Sequence, residues 1–270
     1  MPGDMLTLPE WWQLALFLPS LLALLFLLWQ GFESEGPETA PALWTVIDLF
    51  AILLIHLVAG SFLGKVLNVP LLPRQLSLGL QLILVDAVTC AAVILLAWRT
   101  PEPDASLGLR VPRRPRNAAA LALTVATFII PLQVGAWAWL LFLNFLGLPP
   151  QAQEVVELYV RGRAGGEWAG MAAIALGAVV AAPLTEELLF RGFIFGMLRS
   201  WMGRRGALLL TSAAFAAFHV LPAVVLPIFL VGLVLNWIYL KTGSLVYPIL
   251  FHALFNGWNL VYMSWGDFHT

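Results

Sequence analysis

Residues 168–192 read WAGMAAIALGAVVAAPLTEELLFRG. From Trp168 to Thr185 no side chain carries a charge, and then Glu186, Glu187 and Arg191 fall within six positions. An apolar run of this length suits a helix crossing a hydrocarbon layer about 30 Å thick. Its small residues suit close packing against other helices. Ionisable groups at such a place cost about 3 kcal/mol or more each unless they pair or face a wet cavity. The stretch therefore argues for a membrane helix and for a site of chemistry at the same time.

The rest of the chain repeats the apolar theme. Of its 270 residues 61% are hydrophobic and only 11% charged, against about 25% charged in soluble domains. Eight apolar stretches can be drawn, at 11–29, 43–66, 76–98, 118–146, 168–184, 206–221, 223–240 and 246–264. A backbone in lipid must satisfy its own hydrogen bonds, so the expected fold is all-α, a polytopic transmembrane bundle of about eight membrane segments. The first stretch follows Asp4 and Glu10 with no basic residues before it, and is expected as a retained helix rather than a cleaved signal peptide. The single cysteine, Cys90, lies inside an apolar run, so it can form no intrachain disulfide and is expected to pack. Net charge is -1, nucleic acid is not suggested as a partner, and membrane lipids are.

Two loops punctuate the chain. Residues 30–42 hold Glu33, Glu35, Gly36, Pro37 and Glu38, and residues 99–116 hold Arg110, Arg113, Arg114 and Arg116 among prolines. The second loop divides a front portion, 1–106, of N-terminal membrane helices from a core at 107–265. Short basic loops stay on the cytoplasmic side. Alternation then places the 99–116 loop, the group Arg199, Arg204 and Arg205, and Lys241 together inside. The same alternation puts the acidic 30–42 loop inside and Lys65 and Arg74 outside, against the rule, so the front topology stays open. Glu154 to Val160 reads as a short amphipathic helix on the outer side, a surface helix or a lid.

Three elements can carry chemistry. At 100° per residue Glu187 and Arg191 stand one turn apart on one helical face, while Glu186 points elsewhere. Glu187 and Arg191 can then form an orienting pair, leaving Glu186 to face a cavity and act as a base. The second element is Phe215-Ala-Ala-Phe-His219, and the third is His252-Ala-Leu-Phe-Asn256, whose polar side chains share a face. A carboxylate base, a histidine and a His/Asn donor pair are what peptide hydrolysis by activated water needs. Each has a blander reading beside it: a lone intramembrane His or Asn bonding between helices, and Glu187 with Arg191 as a boundary salt bridge.

Taken together, E-E-x-x-x-R, F-x-x-x-H and H-x-x-x-N in this order closely resemble the CPBP, or Abi, family of CAAX prenyl endopeptidases and bacteriocin-processing enzymes. Phe190-Arg191-Gly192-Phe193 and Lys241-Thr-Gly-Ser-Leu245 extend the likeness. It covers roughly residues 107–260. It implies an intramembrane endopeptidase of a bacterial cytoplasmic membrane, acting on membrane-associated protein or peptide substrates, prenylated or bacteriocin-type. By this resemblance Glu186 and His219 activate water, His252 and Asn256 form the oxyanion site, Glu187 and Arg191 give structural support, and no cofactor is needed.

Other mechanisms fit less well. H-E-x-x-H and G-x-S-x-G are absent, and Ser212 has no evident triad. Two histidines and a glutamate could form a zinc set, which ranks second because Asn256 suits an oxyanion better than a metal. A non-catalytic scaffold or immunity protein of the same family, and a small-solute transporter, are the alternatives from other classes. Asp48 with His56, and Asp86, are expected as structural polar contacts or as part of a water-filled vestibule.

Overall fold

The computed structural model describes residues 44–109, 116–148 and 153–265. The apolar stretch 11–29, the acidic loop 30–42 and Arg110, Arg113 and Arg114 lie outside the described residues. Among those described the structure is helical, without a strand. In order the helices are α1 Val46–Leu67, α2 Arg74–Ala97, α3 Pro103–Ser106, α4 Arg116–Phe145, α5 Glu154–Gly165, α6 Trp168–Leu176, α7 Ala182–Glu187, α8 Phe195–Phe218, α9 Pro222–Thr242 and α10 Val246–Trp265. Two π-helical segments, Gly177–Ala181 and Leu188–Ile194, link α6 to α7 and α7 to α8.

Five helical stretches are long and apolar enough to cross a membrane among the described residues, and the protein is a multi-pass integral membrane protein. One of the five, Trp168–Phe218, holds 51 residues and consists of two helices meeting at a kink, one for each of two apolar stretches of the sequence. At a rise of 1.5 Å per residue it would be about 75 Å long if straight, more than twice the hydrocarbon thickness. Gly203, at φ 72° and ψ -179°, breaks it into two arms. A residue without a Cβ is needed there, since that φ is one L side chains rarely adopt.

The helix ends follow local chemistry. Thr45 and Asp48 form a reciprocal capping box at the start of α1, the threonine hydroxyl accepting from the Asp48 N–H at 3.2 Å. Arg99 also reaches Asp48, at 2.8 Å, and so ties the end of α2 to the start of α1. The amphipathic segment read from Glu154 to Val160 is α5, longer at its C-terminus and closed by Gly166 at φ 71°. It is held to the first residue of α2 by an Arg74–Glu154 ion pair.

Packing is closest between α2 and α6. A Cβ on Gly170 would stand 2.5 Å from that of Gln75, and a Cβ on Gly79 would meet Ala173 at 2.6 Å. Gly177 faces Leu82 in the same series, and the Thr185 hydroxyl donates to the Asp86 carbonyl at 3.1 Å. Residue numbers rise together on both helices, so α2 lies parallel to α6 and α7. Small residues let the two backbones meet, the usual source of helix association in lipid. The front hairpin is thereby fixed against the segment that carries the paired glutamates.

At the centre is α9, with Val231 to Asn236 fully or almost fully buried. Its Asn236 donates to the Ser212 hydroxyl at 2.9 Å and to the Leu208 carbonyl at 3.2 Å, so α8 and α9 share a polar clamp inside an apolar core. By contrast α1 turns Ile47, Phe50, Leu54 and Phe62 outward, as a lipid-facing surface does.

Candidate active site

The paired glutamates sit where the helix changes its winding. Glu187 ends α7, and Arg191 lies in the following π-helical segment. Single π turns within α-helices are frequent at functional sites, because they re-aim side chains and leave backbone carbonyls spare. Arg191 Nη1 still donates to Glu187 Oε1 at 2.9 Å, and both side chains are wholly shielded from solvent. Nη2 donates to the carbonyl of Gly232 on α9 at 3.1 Å. The guanidinium carbon stands 4.6 Å from the centre of the Phe215 ring. A charge in the bundle core is thus met by a carboxylate, a carbonyl and an aromatic face.

His252, one and a half turns into α10, joins the same carboxylate. Its Nδ1 is 2.9 Å from Glu187 Oε1. A carboxylate already bound to a guanidinium is an acceptor, so Nδ1 carries the hydrogen and donates it. Nε2 then points away from Glu187 and toward Glu186, whose Oε2 is 3.8 Å distant. That gap is too long for a hydrogen bond and short enough for one water or substrate oxygen to enter. Glu186 Oε2 is buried with no hydrogen-bond partner, although its side chain as a whole is 22% exposed. A buried carboxylate oxygen without a partner is a costly feature in a packed bundle, and it marks Glu186 as the open end of the chain Arg191, Glu187, His252, Glu186.

His219 enters from the end of α8. Its Nδ1 is 2.9 Å from the Phe215 carbonyl, which can only accept, so Nδ1 donates and Nε2 keeps its lone pair. The next residue, Val220, has φ 59°. A β-branched residue in the left-handed region costs on the order of 1–3 kcal/mol, and such strain gathers at functional turns. It lets the chain reverse within three residues from α8 into α9 while the imidazole stays at the corner. Phe215 is the common wall: its ring centre lies 5.2 Å from that of His219, 5.8 Å from His252 and 5.0 Å from Phe190.

Asn256 is one turn beyond His252 on the same face. Its Nδ2 donates to the Ala178 carbonyl at 2.8 Å, an acceptor in the first π-helical segment. One amide N–H is thus committed to holding α10 against the α6–α7 junction, and the second is left over. Further along α10, Asn259 accepts from Gln133 of α4 at 2.7 Å, extending the polar line.

The six residues singled out in the sequence therefore gather at one place to different degrees. Glu186, Glu187, Arg191 and His252 form a direct chain, His219 joins them across Phe215, and Asn256 is anchored beside them through Ala178. Sequence reading gave Glu187 the task of orienting its own segment. In the fold it also holds His252, which no local pattern reveals. The backbone acceptors Ala178 and Gly232 leave no sequence signal either. Among the described residues no three His, Cys, Asp or Glu side chains gather closely enough to hold a metal ion, so Glu186, His219 and His252 do not fit a ready-made zinc set.

The front helices also reach this region. His56 Nδ1 lies 3.0 Å from the Thr89 hydroxyl, which gives its own hydrogen to the Val85 carbonyl. The His56 ring meets Phe218, which packs on Phe190. A separate groove of about 430 Å³, lined by Pro73, Leu76, Gly166 and Trp168 among others, opens at the start of α6. It is about 27 Å from Glu186 by helical rise and is distinct from the carboxylate site.

Fold and site together define a class: a polytopic helical membrane protein with a buried carboxylate, histidine and asparagine centre. Residues 168–258 match the family described as Type II CAAX prenyl endopeptidase Rce1-like. The chain is also similar to the UPF0177 protein YxdF of Lactococcus lactis subsp. lactis, 33% identical over 82 residues. That match covers 30% of this chain and 44% of the relative, so less than half of the relative's length is spanned. No solved structure matches the chain.

Proposed function

We propose that the protein is a glutamate-dependent intramembrane endopeptidase that hydrolyses peptide bonds of membrane-associated substrates, prenylated or bacteriocin-type, in a bacterial cytoplasmic membrane. The observation that carries this reading is the partnerless Glu186 Oε2, faced at 3.8 Å by His252 Nε2 while the other ring nitrogen is tied to Glu187. Glu186 is the general base. It removes a proton from water as the water oxygen attacks the scissile carbonyl carbon. His219, with a lone pair on Nε2, holds that water, and His252 with the second N–H of Asn256 stabilises the charge growing on the carbonyl oxygen. When the C–N bond breaks, the proton held by Glu186 passes to the leaving amine. Glu187 and Arg191 keep His252 in one orientation.

Cleavage by purified protein in proteoliposomes tests the proposal, with a C-terminally farnesylated peptide and its unmodified form as substrates and mass spectrometry as the readout. Asn256→Ala is expected to cost on the order of 100-fold in kcat, as for other oxyanion donors. Chelation is expected to leave the rate unchanged, and the protein to contain no stoichiometric zinc. Zinc lost together with activity would replace the glutamate mechanism by a metalloprotease one. Full turnover by Asn256→Ala would confine that residue to its bond with Ala178.

A further inference from the structure

His56 is the one titratable residue of α1 between Asp48 and Lys65, on a helix that otherwise turns Leu54, Leu57, Val58 and Phe62 outward. It lies outside the segment that matches the family and outside all three motifs. A half-buried imidazole in an apolar span costs free energy unless its polar atoms are used. The Thr89 hydroxyl gives its hydrogen to the Val85 carbonyl at 2.8 Å, so its oxygen accepts from His56 Nδ1–H at 3.0 Å, and Thr89 is wholly buried on α2. The ring so held meets the Phe218 ring edge-on, with centres 5.6 Å apart.

Phe218 ends α8, immediately before His219, and it is 42% exposed, so its place depends on its ring contacts with His56 and, at 5.9 Å, with Phe190. Two residues further on, Val220 holds its φ of 59°, and strain of this kind persists only where surrounding contacts over-determine the turn. Beyond the strained residue α4 supplies one such contact, Trp139 Nε1 donating to the Pro222 carbonyl at 2.8 Å. Before it α1 supplies another, His56 on Phe218. The base of that second brace is the α2 turn 85–89, and the same turn receives the Thr185 hydroxyl on the Asp86 carbonyl at 3.1 Å. One turn of α2 therefore holds the residue before Glu186 and, by way of His56, the residue before His219.

We infer that His56 is a positioning residue for His219, bracing through Phe218 the corner that carries it, and that the α2 turn 85–89 sets Glu186 and His219 at a fixed separation. This deepens the endopeptidase reading and rests on it for its purpose. A base and a water-holding imidazole that approach one water from different helices must keep their places to within about 0.5 Å, and groups outside the site have to hold them there. The front helices thereby contribute to the reaction and do more than flank it.

The first arm of the test uses no substrate. Diethylpyrocarbonate acylates an imidazole nitrogen that has a free lone pair, and its rate at His219 can be followed by peptide mass spectrometry in the full-length protein in proteoliposomes, with His252 as the internal reference. Thr89→Val fills the same space without accepting from His56, whereas Thr89→Ser keeps the hydroxyl. Thr89→Val and His56→Leu are expected to raise the rate at His219 severalfold and to leave His252 as in the wild type, while Thr89→Ser returns His219 to the wild-type rate. With a cleavable peptide, Thr89→Val should lower kcat on the order of 10-fold at unchanged KM, the scale of a slightly misplaced catalytic group. Should His56→Leu fail to fold, Thr89→Val decides alone. Unchanged labelling of His219 in folded Thr89→Val would overturn the inference, and so would equal acceleration at both histidines, which is general loosening. Acceleration confined to His219 without cleavage of any peptide would uphold the brace and count against the endopeptidase reading, so the two stand or fall separately.

Discussion

Glu186→Gln protein is expected to fold, insert and melt as the wild type does, and to lose roughly 10²–10⁴-fold or more of its cleavage rate, the contribution of a positioned general base. Both halves of that expectation come from the same geometry. Glu186 Oε2 has no hydrogen-bond partner, so exchanging it for an amide nitrogen breaks no bond. The amide keeps the size of the carboxyl, and its oxygen can still face His252 Nε2, 3.8 Å away. An amide cannot take a proton from water, so the reaction loses its base while the packing keeps its shape. Melting temperature in detergent and turnover in proteoliposomes check the two halves. Wild-type turnover by Glu186→Gln would remove the proposed base, and unfolding would make Glu186 a structural residue.

Arg191→Ala is expected to do the reverse and damage the fold first. The substitution removes the donor to Glu187 at 2.9 Å, the donor to the Gly232 carbonyl at 3.1 Å and the cation over Phe215 at 4.6 Å. It leaves the Glu187 carboxylate wholly buried with His252 as its one remaining partner. Stranding one member of a buried ion pair typically costs about 3–5 kcal/mol. Reduced yield and a lower melting temperature should therefore accompany loss of activity. Arg191→Lys should rescue little, since an ammonium is not a planar fork and cannot serve a carboxylate and a carbonyl on different helices in the same way. If Arg191→Ala stays folded and active while Glu186→Gln unfolds, the two roles are assigned backwards and the scaffold reading gains.

What separates these two variants is burial and partnership, and here sequence and structure divide the work. Membrane class was legible because long uncharged runs have one stable solution in lipid, the self-bonded helix. Helix positions followed within a few residues: the stretch 76–98 became Arg74–Ala97 and 223–240 became Pro222–Thr242. The three motifs were legible too, since Glu187 with Arg191 and His252 with Asn256 are spaced by one helical turn, and spacing within a helix is a local property.

Everything that joins one helix to another needed the tertiary structure. The His252–Glu187 bond spans 65 positions and the Thr185–Asp86 bond 99, and neither has a period that sequence could display. Residues 168–184 and 206–221 read as two spans, and the fold keeps them as two helices separated at Gly203; the apolar pattern does not say that the first runs on past the paired glutamates toward that glycine. Backbone acceptors such as Ala178 and Gly232 are invisible to any residue pattern, for every residue has a carbonyl. Asp86 read as a structural polar contact in the front helices. Only the glycine-lined approach of α2 to α6 brings its carbonyl to the Thr185 hydroxyl, because in lipid it is the close fit of small residues that decides which helices meet.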